Sequence, residues 1–189
     1  MNNIAYKILK FLLTPLYKFY YNPKIIGKEN IPKEGSIIIV GNHKHLMDQC
    51  NIIISTKRVI YYMAKKEYFD NPLTRIFFTS VHAIPVDRSK KDDNATAKAL
   101  EVLHSGKALG LFPEGTRNKT KEKLLPFKYG AVSMAKKTNS LLVPFGIKGD
   151  YKFRSKNLIV KIGEPFNINN LSIEEANKIL YNEISKLMD

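Results

Sequence analysis

Two residues able to move a proton stand close together near the start of the chain. They are His43 and Asp48, in the stretch Gly41-Asn42-His43-Lys44-His45-Leu46-Met47-Asp48, directly after the aliphatic run Ile37-Ile38-Ile39-Val40. An imidazole titrates near neutral pH, so it can accept a proton from a hydroxyl and pass it on. Acting as a base at Nε2 requires the proton to sit on Nδ1, where a carboxylate holds it and stabilises the imidazolium that forms. The spacing is one residue longer than the i, i+4 step that brings side chains together on a helix. It therefore predicts His43 in a loop and Asp48 in the first turn of the following helix, with the chain folded back to join them. On spacing alone the pair reads equally well as a solvated loop histidine and a helix-start acid.

A second stretch, Phe112-Pro113-Glu114-Gly115-Thr116-Arg117, also follows an apolar run, Ala108-Leu109-Gly110-Leu111. A third, Ile84-Pro85-Val86-Asp87-Arg88, ends a short apolar segment in a charged pair. Three strand ends of this kind predict one site at the edge of one sheet, where open α/β sheets bind ligands. Arginine offers a planar fork of donors that matches phosphate oxygens, which makes Arg88 and Arg117 candidates for holding a phosphorylated substrate. For Arg88 the competing reading is a surface ion pair with Asp87. Glu114 is expected to accept from a substrate hydroxyl or to brace Arg117, and Gly115 to let the backbone approach closely. Lys65, at the end of an expected strand over residues 59–64, fits an anionic donor or acceptor and fits a surface lysine as well. Met47, Cys50 and Ile54 share helical spacing, so Cys50 reads as core rather than nucleophile. His43, His45 and Asp48 lack further Cys or His at ligand spacing, so no metal is expected. No Gly-x-Ser-x-Gly elbow marks an acyl-enzyme serine.

These residues carry a resemblance. His43 and Asp48 match the His-x-x-x-x-Asp motif of the glycerolipid acyltransferase family. Ala83 to Arg88 resembles its second motif, Phe112 to Arg117 matches its third in full, and Val143-Pro144-Phe145-Gly146-Ile147 resembles its fourth. The order and spacing agree, and the similarity runs over residues 24–161. His82 stands where the second motif commonly starts with Gly, and Asn118 follows the third where Ser is common. The branch most resembled is the 1-acyl-glycerol-3-phosphate (lysophosphatidate) acyltransferases.

The resemblance implies transfer of a fatty acyl group from a thioester, acyl-coenzyme A or acyl-acyl carrier protein, to the free 2-hydroxyl of a lysophospholipid. The product would be phosphatidic acid, made in phospholipid biosynthesis. It implies His43 as base, Asp48 as its partner, and Arg88, Glu114, Gly115, Thr116 and Arg117 as acceptor-binding residues. Lys65 is a candidate donor or oxyanion contact, and no cofactor is implied beyond the thioester co-substrate. The runner-up is an acyltransferase for another acceptor, glycerol-3-phosphate or a different lysolipid. A non-catalytic basic membrane-surface module is set against the intact motifs. A nucleic-acid binder gives no reason for three polar strand ends, and no nucleic-acid partner is expected.

The elements that must position these residues follow from the pattern. Strands alternating with helices predict an α/β layered single domain, with a central, largely parallel or mixed sheet flanked by helices. Residues 23–189 form that acyltransferase domain. Residues 1–22 form an N-terminal amphipathic helical arm. Over residues 3–21, Ile4, Ala5, Ile8, Leu9, Leu12, Leu13, Leu16, Phe19 and Tyr20 gather on one side, with Lys7, Lys10, Thr14 and Lys18 on the other. Pro15 is expected to kink or split this helix. Such a segment can lie among lipid headgroups or pack on the core. Expected helices follow at residues 46–55, 72–79, 94–104 and 127–137, and Ser172-Ile173-Glu174-Glu175 is a capping box opening the last.

The formal net charge of +14, from 31 basic and 17 acidic residues, asks for an anionic partner. No acid precedes Glu29, and residues 119–161 carry eleven basic residues against two acids. Two basic zones beside an apolar N-terminal segment favour an anionic membrane surface. A single cysteine suits a reducing compartment. No secretory leader is evident, and no apolar stretch approaches the roughly 20 residues of a spanning helix. The expected location is peripheral, on the cytoplasmic face of the cell membrane.

Overall fold

The computed structural model describes residues 3–189. Its strands are β1 (Lys24–Ile26), β2 (Ile37–Gly41), β3 (Ile60–Lys65), β4 (Ile84–Val86), β5 (Ala108–Leu111), β6 (Leu141–Lys148) and β7 (Ile159–Ile162). Its α-helices are α1 (Ile4–Tyr21), α2 (Asp48–Ile53), α3 (Pro72–Ser80), α4 (Asp93–His104), α5 (Gly130–Thr138) and α6 (Ile173–Leu187). The strands form one sheet in the order β1-β7-β6-β2-β5-β3-β4. From β6 to β4 every neighbouring pair is parallel, while β7 runs antiparallel to β6 and β1 parallel to β7. The fold is thus α/β with a mixed, mostly parallel sheet and an N-terminal helix, as the alternation of strand and helix patterns predicts.

Side chains on β2 alternate between the two faces, as the pleat requires. Ile38 and Val40 join Leu109, Leu142 and the inner sides of α4, α5 and α6, through residues such as Ala99, Ala135 and Leu180. Ile37 and Ile39 join Ile52, Tyr62, Val143 and Phe145 on the other face. All four β2 side chains are fully buried. This continuous aliphatic run is the signature of a strand covered on both faces. Helix starts are capped as their sequences dictate. Asn71 caps α3 with Pro72 in its first turn, Asp92 caps α4, and Ser172 with Glu175 forms the capping box of α6.

Helix α1 runs unbroken through Pro15, so of the expected kink or split the split does not occur. Pro15 is on the exposed side, where a carbonyl deprived of its N–H partner can reach solvent. Two buried tyrosines, Tyr6 and Tyr17, anchor the helix to the domain. Much of its apolar side, including Ile8, Phe11, Leu12, Leu16 and Phe19, is exposed. Helix α3 also presents Leu73, Ile76 and Phe77 outward, Leu73 at 79% exposure beside 78% for Phe11. No described helix is long and apolar enough to cross a membrane.

Two further differences are local. Helix α2 is shorter than its apolar pattern, and α5 begins at Gly130 because Phe127 is a buried loop residue. His82 adopts the left-handed conformation (φ +57°) that a glycine fills without strain. Its buried ring is stacked against Tyr6 of α1 and Tyr61 of β3.

Candidate active site

Four parallel strands bring their C-terminal ends to one edge. Strand β2 delivers His43, β3 ends in Lys65, β4 leads into Asp87-Arg88, and β5 leads into the 112–117 loop. Asn42 fixes how the chain leaves β2. Its amide accepts from Ile147 N (2.7 Å) and donates to Ile147 O (2.9 Å), a side chain standing in for a backbone ladder pair. The next residue turns into the loop with its ring directed to Asp48. His43 Nδ1 is 2.8 Å from Asp48 Oδ2. Asp48 lies in the first turn of α2 and is fully buried. Its Oδ2 also accepts from Lys44 N (2.7 Å) and His45 N (2.8 Å), so the carboxylate ties the loop back on itself. A carboxylate facing Nδ1 makes that nitrogen the donor and leaves Nε2 as the acceptor. Nε2 has no protein partner among the described residues.

The imidazole is also held through its face. Phe112 stacks on it at a centroid distance of 4.0 Å and an interplanar angle of 14°. Phe112 in turn meets Tyr62 and Phe145. Gly41 leaves room for the Phe145 ring, because a Cβ there would stand 2.3 Å from it. The first residue of the 112–117 stretch thus supports the histidine of the first stretch.

Glu114 differs from its expected role. Both its oxygens are occupied by backbone donors, Oε1 by His43 N (2.8 Å) and Oε2 by Leu125 N (2.9 Å). It is 4% exposed, and burial raises its pKa while the two backbone donors pull it back. It braces the His43 loop against the 118–125 loop, and touches neither Arg117 nor the cavity. Gly115 needs its glycine for a φ of +71°, and a Cβ added there would meet the Lys128 side chain at 2.9 Å. Asn118 supports the same loop. Its backbone N–H donates to His43 O (2.6 Å), and its side chain serves Thr120 and Glu122.

Beside the histidine opens a cavity of about 850 Å³. His43, Lys65, Arg88, Thr116 and Arg117 line it, whereas Asp48, Glu114 and Gly115 stand outside its lining. The rest of the wall is largely apolar, with Leu9 and Leu13 from α1 and Phe77 and Phe78 from α3. Arg88 and Arg117 are exposed, and neither guanidinium has a protein partner among the described residues. Asp87 pairs with Lys66 (2.7 Å) and accepts from Ser89, which holds its carboxyl well below the usual range. The ion-pair reading of Arg88 therefore fails on geometry. Lys65 pairs with Glu67 at 3.0 Å, with both side chains partly exposed. Burial pushes the Cys50 thiol up to about 11, so it stays protonated near neutrality. Cys50 lines the cavity, which the spacing-based core reading missed. His45 stacks on Tyr151, and its Nδ1 accepts from Met47 N (3.2 Å).

Sequence reasoning passed over Asn42, Phe112 and Tyr151. The Asn directly before His43 was the one available cue to the first. Tyr151 OH donates to Asp48 Oδ1 (2.6 Å) across a separation that no local pattern reveals.

Comparison with known proteins bears on the family and the fold. The sequence profile of the Acyltransferase family matches residues 22–148. A 1-acyl-sn-glycerol-3-phosphate acyltransferase of Bacillus subtilis is 33% identical over 147 residues, 75% of this chain and 72% of that protein. One from Borreliella burgdorferi is 34% identical over 141 residues, 74% of this chain but 56% of its own length. Among solved structures, the 1-acyl-sn-glycerophosphate (LPA) acyltransferase PlsC from Thermotoga maritima superposes with a TM-score of 0.74 at 27% identity, covering 95% of this chain and 79% of that one.

Proposed function

This chain belongs to the acyltransferase family, and from that premise we propose that it acylates the 2-hydroxyl of 1-acyl-glycerol-3-phosphate to give phosphatidic acid. The observation that carries the proposal is that His43, held through Nδ1 by Asp48, and the unpaired arginines Arg88 and Arg117 line one apolar-walled cavity. The apolar wall suits acyl chains, and the arginines suit a phosphate. The names of the relatives support the same acceptor.

In this reading Arg88 and Arg117 grip the acceptor phosphate, and Thr116 lies beside them. His43 Nε2 takes the proton of the 2-hydroxyl as its oxygen attacks the thioester carbonyl. The new C–O bond forms, the C–S bond breaks, and His43 returns the proton to the departing thiolate. Asp48 holds the imidazole in the required tautomer and stabilises its charged form. Lys65, on the cavity wall, would exchange its Glu67 partner for negative charge on the donor. The donor is a thioester of coenzyme A or of acyl carrier protein. The exposed apolar side of α1, with Lys7 and Lys18, together with the outward face of α3, fits peripheral docking on an anionic membrane. Docked there, the cavity opens beside the lipid that supplies its acceptor.

The test is acyl transfer by the purified protein, with a panel of lysolipids and glycerol-3-phosphate against both donor types. The expected outcome is preference for 1-acyl-glycerol-3-phosphate and loss of nearly all turnover in His43→Ala with the fold retained by circular dichroism. Preference for an acceptor without phosphate, or substantial turnover in His43→Ala, would reject the proposal.

A further inference from the structure

We infer that Tyr151 is a positioning residue for the Asp48–His43 pair, and that Asn51 and Tyr17 carry its hold on Asp48 back to α1. The inference rests on the catalytic reading of His43 and Asp48 given above. It starts from an accounting of the Asp48 carboxylate. Three donors serve Oδ2, namely His43 Nδ1, Lys44 N and His45 N. Oδ1 has one donor among the described residues, Tyr151 OH at 2.6 Å. The carboxylate is fully buried, so no water relieves an unserved oxygen. A second anchor on Oδ1 also stops the group swivelling about its last bond, which keeps Oδ2 on the imidazole.

Tyr151 is itself held from several sides. Asn51 Nδ2 donates to its oxygen (2.7 Å), and Tyr17 OH donates to Asn51 Oδ1 (3.0 Å). Each group donates onward to the next, from Tyr17 to Asn51 to Tyr151 to Asp48, so the bonds polarise one another in one direction. Asn51 is fully buried and Tyr17 nearly so. Burial first, and then the nearby Asp48 charge, raises the Tyr151 pKa far above that of a free phenol, so it remains a donor at any working pH. The Tyr151 ring stacks on His45 (4.2 Å, 16°) and meets Tyr21 of α1 edge-on.

The segment carrying Tyr151 is fastened to the same end of α1. Arg154 N donates to Tyr20 O (2.6 Å), and Phe153 packs against Phe19 and Tyr20. The helix with the bare apolar side is therefore joined to the catalytic carboxylate by a chain of three side chains. The seating of α1 on the domain sets the orientation of the dyad.

The experiment uses the full chain and compares Tyr151→Phe, Tyr17→Phe and His43→Ala with the parent. Tyr151→Phe keeps the ring and its stacking and removes only the donor. Its kcat should fall roughly ten- to a hundredfold, the scale of one hydrogen bond to a charged group, with both KM values within about twofold. Without that donor the Asp48 charge is less shared, so it stabilises the imidazolium more. The acid limb of the pH profile of kcat/KM should therefore move to higher pH. Lys44, His45, Cys50, Tyr62, Glu114 and Arg117 are the other charged or titratable groups facing the pair, and the variants leave them unchanged. Tyr17→Phe should move the same two readouts in the same direction, by less. A parental kcat and an unmoved acid limb in Tyr151→Phe, beside a dead His43→Ala, would overturn the role of Tyr151 alone. A parental Tyr17→Phe would remove the link to α1. Turnover persisting in His43→Ala would instead overturn the dyad reading on which this one rests.

Discussion

Replacing Glu114 by Gln separates bracing from substrate contact at the centre of the 112–117 loop. In the parent, each carboxylate oxygen accepts one backbone N–H, from His43 at 2.8 Å and from Leu125 at 2.9 Å. A glutamine keeps one acceptor and turns its NH2 toward the other N–H. One hydrogen bond to a charged acceptor is lost, about 1.5–3 kcal/mol, and a backbone donor is left facing a donor, with a desolvation cost on the order of 1–3 kcal/mol. The two effects overlap, so the expected loss is about 2–4 kcal/mol. In a domain of this length 1 kcal/mol moves the melting temperature by roughly 2–4 °C, which gives a fall of about 5–15 °C. The assay is thermal and urea unfolding, with a lower urea midpoint and an unchanged slope marking a true stability change. Because His43 N is one of the two donors, kcat should fall as well. A variant as stable as the parent, altered only in the KM of its acceptor, would refute the bracing argument and return Glu114 to a substrate contact.

Three further outcomes follow from the geometry. Arg88→Lys replaces a planar fork by a point charge, so the acceptor KM should rise about tenfold while kcat stays within about threefold; steady-state kinetics showing the reverse split would argue against a ground-state phosphate contact. Phe11→Glu combined with Leu12→Glu places two charges on the bare side of α1, outside the catalytic cavity. Each large apolar side chain contributes about 1.5–3 kcal/mol on burial, so vesicle flotation should show more than tenfold weaker binding to anionic liposomes. His82 has its pKa lowered by burial and then by nearby positive charge, including Lys107. As pH falls below about 6.5 the unfolded chain takes up this proton before the native state does. Stability present above that pH is thus lost as pH drops through the lowered folded value. Asn tolerates a positive φ, so His82→Asn should flatten the acid side of the melting-temperature profile, and an unchanged slope would show that His82 does not titrate on unfolding.

What was legible in the sequence follows from how local each signal is. The aliphatic run of β2 and the polar residues that end β2, β4 and β5 are read within a few neighbours, and they pointed to one sheet edge. The capping box of α6 is equally local. Glu114 was assigned to a substrate hydroxyl or to Arg117 because only side-chain chemistry is legible in sequence, whereas its partners in the fold, His43 N and Leu125 N, are backbone groups. The continuity of α1 was left open between a kink and a split because propensity penalises Pro15 wherever it stands, while the fold clamps the helix at Tyr6 and Tyr17. Tyr151 was invisible for a third reason. It reaches Asp48 from beyond β6, and its importance lies in a contact between residues a hundred positions apart. Arg88 and Arg117 were proposed from the chemistry of guanidinium, and only the coordinates removed Asp87 as a competitor by pairing it with Lys66.

The uncovered sides of α1 and α3 also bear on how the protein behaves in plain buffer. Phe11, Leu16, Leu73 and Ile76 have no cover of their own, and in plain buffer another copy is the nearest apolar surface. Detergent or lipid in a preparation is then more than an additive, because it occupies the place that would otherwise be filled by aggregation. Size measurements and activity assays on this protein are comparable only when the amphiphile present is held constant.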